Sequence, residues 1–143
     1  MEDMTKAVGS QLAVYWPDLL IYSENMPDDF STPSLYVHRI GLSRSPANVG
    51  TRQKRRYSFQ AVFFPDEDNV GNINGQLDAA AEIFADNLEV IGGKYRVQNL
   101  EINVDRDEQV VQATFDLIFH VEIVFDQVKQ QSLDYTGGLK DGN

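Results

Sequence analysis

Val111-Gln112-Ala113-Thr114-Phe115-Asp116-Leu117-Ile118-Phe119-His120-Val121-Glu122-Ile123-Val124-Phe125 alternates without a break, and every odd-numbered position in it is apolar. Successive side chains of a strand point to opposite faces, so this run reads as a β-strand with one buried side. The even positions are mostly polar, which predicts a half-covered, antiparallel type of sheet rather than one buried on both faces. The length of the run adds a second expectation. Its 15 residues, at about 3.3 Å each, would span roughly 50 Å, whereas a globule of this chain length is only about 37 Å across. Such a strand either bulges and coils within a monomer or overhangs and is covered by a neighbour, which points toward assembly.

Working outward, Asp105 to Glu108 form a turn back to Tyr95 to Val104, a strand with Leu100, Ile102 and Val104 on its core face. Before it, Ile73, Leu77, Ala80, Ala81, Phe84 and Leu88 repeat at helical spacing, with Asn72 or Asn74 as N-cap and Gly92-Gly93 as the stop. Arg56 opens a further strand whose Tyr57, Phe59, Ala61 and Phe63 point inward until Pro65 ends it. Leu35 to Leu42 makes another, and Leu19 to Tyr22 a short one. Met4, Val8, Leu12 and Tyr15 or Trp16 mark a first amphipathic helix closed by Pro17. The order α-β-β-β-α-β-β predicts an α+β fold. One antiparallel or mixed sheet of about four to five strands carries two helices on one face. The expected domain is a single one over residues 1–126, followed by a flexible polar tail over 127–143.

Composition narrows the function classes. The chain has 143 residues, enough for one cored domain without staples. It has no cysteine, which excludes disulfides, thiolate metal sites and a cysteine nucleophile and fits an intracellular chain. The acidic N-terminus has no apolar core segment of a secretion signal, and no run of apolar residues is long enough to span a membrane. With 22 acids against 12 cations the net charge is −10, which argues against general nucleic-acid binding. The charge is segregated, however. Arg39, Arg44, Arg52, Lys54, Arg55 and Arg56 are half of the cations, and no carboxylate lies between Arg39 and Tyr57. A basic segment on an acidic body is self-complementary between copies of one protein. Within it, Ser43 to Arg56 reads as an exposed arm whose Pro46 and Gly50 interrupt regular structure, joining two strands by a loop longer than folding requires.

Catalytic chemistry finds no support. His38 and His120 sit alone at strand positions, and the aspartates near Asp66 lack the calcium-loop spacing and its later glutamate. Gly71-Asn72-Ile73-Asn74-Gly75 has neither phosphate-loop ending nor dinucleotide spacing, and no serine sits in a nucleophile elbow. No enzyme activity, metal or cofactor is expected. Tyr36, Tyr57, Phe59 and Phe63 beside a basic loop have the ingredients of a platform for single-stranded nucleic acid, although core packing explains their alternation more simply.

Several patterns then fall in a familiar order: a first helix ending at Trp16-Pro17, Ile21-Tyr22-Ser23-Glu24, Pro33-Ser34-Leu35-Tyr36-Val37, the run Arg55 to Pro65, a helix, and a closing hairpin ending in Asp116-Leu117-Ile118-Phe119. Over about residues 6 to 126 the chain resembles the bacteriophage tail terminator family. That resemblance implies a virion structural protein, without catalytic residues, that forms a hexameric ring. It would cap the tail tube at its head-proximal end, stop tube polymerisation and offer a surface for head attachment. The implied partners are further copies of the chain, the tail tube protein and a head-proximal connector protein, with DNA only as cargo and no membrane. Assembly would take place in the host bacterial cytoplasm. Independently of the family, the intersubunit or tube contact is expected at Arg44, Arg52, Lys54, Arg55 and Arg56. Two alternatives remain at this point: another neck or head-completion protein, or a small α+β domain for single-stranded nucleic acid.

Overall fold

The computed structural model describes residues 4–23, 25–44 and 52–122. The final three positions of the quoted run, the tail over 127–143 and the centre of the basic segment over 45–51 therefore lie outside the described residues. Helix α1 (Met4–Tyr15) leads to β1 (Leu20–Ser23), β2 (Ser34–Arg44) and β3 (Arg52–Phe64). A short 3-10 turn (Val70–Asn72) then enters α2 (Ile73–Asn87). The small strands β4 (Val90–Ile91) and β5 (Tyr95–Arg96) are followed by β6 (Gln98–Asp105) and β7 (Val110–Glu122). The main sheet has the order β1-β2-β3-β7-β6, and β4 pairs only with β5. Contacts divide the described residues into two compact units. The body takes in Arg55–Phe119 and the chain up to Ser43, and a smaller unit comprises Arg44 with residues 52–54 and 120–122.

The α+β expectation holds, with the sheet mixed. β1 runs parallel to β2, Leu20 opposite Ser34 and Ser23 opposite Val37, because 25–33 carries the chain back to the same end before β2 begins. β6 and β7 are antiparallel, with Ile102 opposite Ala113 and Val104 opposite Val111. In β7 the odd positions from Val111 to Phe119 are buried and the even positions from Gln112 to Ile118 are only half-buried, as the alternation requires. The inward face is completed by Leu35, Val37, Tyr57, Phe59, Ala61 and Phe63 from the other central strands. Against it α1 sets Met4, Val8 and Leu12, and α2 sets Leu77, Ala80 and Phe84. Trp16 locks the two helices onto the sheet, edge-on to Phe84 at 5.0 Å and stacked near Phe63 at 6.2 Å. The Tyr15 hydroxyl adds a polar tie, donating to the Asn87 carbonyl oxygen at 2.8 Å.

Three local expectations need correction. Gly92-Gly93 does not end α2; the helix stops at Asn87. The two glycines, at φ 61° and 72°, form the turn between β4 and β5, where two successive positive φ values match the twist of a tight hairpin. The strand expected over Tyr95 to Val104 is broken into β5 and β6, with a register shift between Gln98 and Glu101. Asn99 sits there at φ 55°, a conformation its short amide side chain tolerates better than most. Strand structure also runs further into the basic segment than expected, to Arg44 on one side and from Arg52 on the other. Strong cross-strand pairing overrides the weak β-preference of serine, arginine and lysine there.

Candidate interaction surface

The face of the sheet opposite the helices is where the body presents most of its half-exposed polar groups. One end of it is covered. Phe30, from the segment between β1 and β2, packs against Tyr22 at 6.5 Å and Phe64 at 4.7 Å, and the Tyr22 hydroxyl accepts from the Ser31 amide. Ser34 is fully buried, and its hydroxyl has no hydrogen-bond partner among the described residues.

Beyond the cover the face is polar and internally paired. His38 stacks on Tyr36 at 4.7 Å, and its Nε2 lies 2.8 Å from Gln60 Oε1. Asp116, at the centre of β7, accepts from the Ser58 hydroxyl at 2.7 Å and from the Asn99 amide at 2.8 Å, with Arg56 Nε 3.8 Å away. The bulge at Asn99 is what brings its amide to Asp116. Neither residue was expected to matter from the sequence, since a bulge leaves no periodic signal. The arginine is half exposed, so its attraction to Asp116 contributes little, and the two hydrogen bonds dominate. Asp116→Ala should therefore cost about 0.5–1.5 kcal/mol, chiefly by removing the acceptor of the half-buried Ser58 hydroxyl, since the exposed Asn99 amide can turn to water. Asp116→Asn, which keeps an acceptor, should cost less. Chemical denaturation of both variants checks the order, and equal costs would mean the hydrogen bonds are not the stabilising element.

Between β6 and β7 the same face opens into a shallow depression lined by Glu101, Ile102, Asn103, Gln112 and Thr114. Its lining is mostly polar and lacks a nucleophile, an acid pair or a ligand cluster. Among the described residues no group of three or more histidines, aspartates or glutamates is arranged to hold a metal. Likewise, among the described residues no helix is long and apolar enough to cross a membrane. Three of the aromatics considered for a nucleic-acid platform, Tyr57, Phe59 and Phe63, are buried in the core, and Tyr36 is half-buried under His38. Stacking of bases requires open aromatic faces, which this arrangement does not provide.

The five basic positions fall into both units. In the smaller unit Arg44 ends β2 and is exposed, Arg52 is the first residue of β3, and Lys54 is exposed beside a buried Gln53. In the body Arg55 is half-buried and Arg56 exposed. All five stand on strands, so the side chains of Lys54, Arg55 and Arg56 alternate between faces, while the centre of the expected arm lies outside the described residues. Arg39, also in the body, lies over the Tyr57 ring at 5.5 Å, an arrangement that favours the cation. Close to it on β2, Ile40 and Leu42 are large apolar side chains left 49% and 53% exposed.

The paired polar groups and unburied apolar residues of the body suit protein contact. None of the curated proteins compared with the chain matches it. A family profile described as phage tail terminator protein does match, over residues 3–129, nearly the whole chain. The chain therefore belongs to the phage tail terminator family and is a structural component of the phage tail.

Proposed function

We propose that this protein caps the tail tube as a ring, ending tube polymerisation at the head-proximal end and offering the surface to which the head attaches. The family match over residues 3–129 is the observation that carries this reading. The ring is a hexamer of this chain, its other partners are the tube protein and a connector, and DNA passes through as cargo. Segregated charge supports closure: a basic strand pair on a chain of net charge −10 lets one surface of each copy meet a different surface of the next. In this reading Arg44, Arg52, Lys54, Arg55 and Arg56 face a neighbouring copy or the tube. Reversing Arg52, Lys54 and Arg55 together should weaken self-association and co-sedimentation with tail tubes while circular dichroism shows the variant still folded, with only a modest fall in melting from the half-buried Arg55. If the triple variant assembles and binds tubes like the parent chain, these cations have no part in the contact. If the parent chain itself neither self-associates nor binds tubes, the capping reading fails.

A further inference from the structure

The run Gly71-Asn72-Ile73-Asn74-Gly75 has no phosphate-loop spacing, but it contains the one Asn-Gly pair of the chain. Asparagine loses its side-chain amide most readily when glycine follows it. The main-chain nitrogen of the next residue attacks the side-chain carbonyl, and glycine brings no side chain to hinder that approach. Here the pair opens α2, and both of its residues are exposed. The side-chain oxygen of Asn72 lies over Gly75 where a Cβ would stand, so this turn accommodates glycine without adjustment and would have to shift for any larger residue.

Two features of the turn oppose one another. Asn72, at the N-cap, makes no side-chain cap hydrogen bond, and the first N–H groups of a helix have no intrahelical acceptor. A turn held in this way opens locally at small cost. Against this, Arg106, from the turn between β6 and β7, forks across the start of α2. Its Nη1 donates to Asn74 Oδ1 at 2.9 Å and its Nη2 to Asp78 Oδ1 at 2.8 Å. The fork grips the carbonyl that has to be attacked, while a helical ψ of about −42° keeps the Gly75 nitrogen turned away from it. Hydrogen bonding also polarises that carbonyl, but no bond forms while the nitrogen is out of reach.

We propose that Asn74 is a deamidation site gated by Arg106. When the first turn of α2 opens, the Gly75 nitrogen gives up its proton and bonds to the Asn74 side-chain carbon, and the side-chain nitrogen leaves as ammonia. The cyclic imide then takes up one water and opens at either carbonyl, to aspartate or to isoaspartate. Aspartate keeps acceptors for Arg106 and adds negative charge to the first turn, where a helix favours it. Isoaspartate lengthens the main chain by one carbon, so its product loses the turn. This inference is independent of the ring reading.

The test is peptide mapping by mass spectrometry on the full chain aged in warm, mildly alkaline buffer. In the folded chain, amide-to-acid conversion at Asn74 should outpace that at every other asparagine, and it should speed up in denaturant, where nothing closes the turn. Arg106→Ala should accelerate conversion in the folded chain about twofold to fivefold, the factor expected from losing an exposed fork that closes the turn. In denaturant the same variant should convert at the parent's rate, because the fork is absent there. Asp78→Ala removes the other anchor of the fork and should act in the same direction, so the gate stays testable if one variant does not fold. Circular dichroism reports folding of each. A folded chain whose Asn74 converts no faster than its other asparagines, or folded variants that convert at the parent's rate, would overturn the proposal.

Discussion

Phe115→Asp should abolish the native fold. Phe115 is 1% exposed at the middle of β7 and stacks on Phe59 of β3 at 5.9 Å, where the two longest strands share the core. Losing a buried phenyl ring costs about 3–5 kcal/mol. An unpaired carboxylate in its place adds several more, since the site is buried against the Phe59 ring. Together these approach the whole stability of a typical domain, about 5–15 kcal/mol. The variant should be insoluble or show no cooperative melting transition. Soluble, cooperatively folding protein would mean that the odd-numbered face of β7 is not the core face.

Phe84→Ala should be the largest loss that still leaves a folded chain. Phe84 is 0% exposed on α2 and meets the edge of Trp16, so it joins the two helices as well as filling the core. A cost of about 3–5 kcal/mol is expected, lowering the melting temperature by roughly 10–15 °C at this chain length. Trp16 is the only tryptophan, so its fluorescence should also shift as its ring loses the Phe84 contact. A melting temperature within a few degrees of the parent, with unchanged emission, would place the helix contact elsewhere.

Much of the fold was readable because burial leaves a period in the residues. The eight apolar odd positions from Val111 to Phe125, and the stripe from Ile73 to Leu88, specify a half-buried strand and an amphipathic helix from local chemistry alone. For the strand, the structure bears this out as far as Phe119. What failed to show was set by partners distant in sequence. The parallel pairing of β1 with β2 depends on where residues 25–33 lead the chain, and nothing in Leu20–Ser23 encodes it. The bulge that carries Asn99 to Asp116 is similar, since both residues look like ordinary surface positions until the strands are paired. Gly92-Gly93 signals positive φ correctly, but a helix stop and a hairpin turn use the same glycine property, so the residue type could not choose between them. For the interaction surface, the charge segregation around Arg44 to Arg56 was visible at once. That residues 38–43 of β2 have no partner strand on their outer side among the described residues was not, because it follows from β1 being only four residues long.

Closure of the growing tube by a ring of this chain, as proposed, can be measured directly. Tube protein should be polymerised with and without the purified chain, and the products imaged by electron microscopy for length and for the appearance of their ends. Adding the chain should halt elongation and leave a ring-shaped density at one end of each tube. Tubes that continue to lengthen at the same rate, with bare ends at saturating concentrations of the chain, would contradict it.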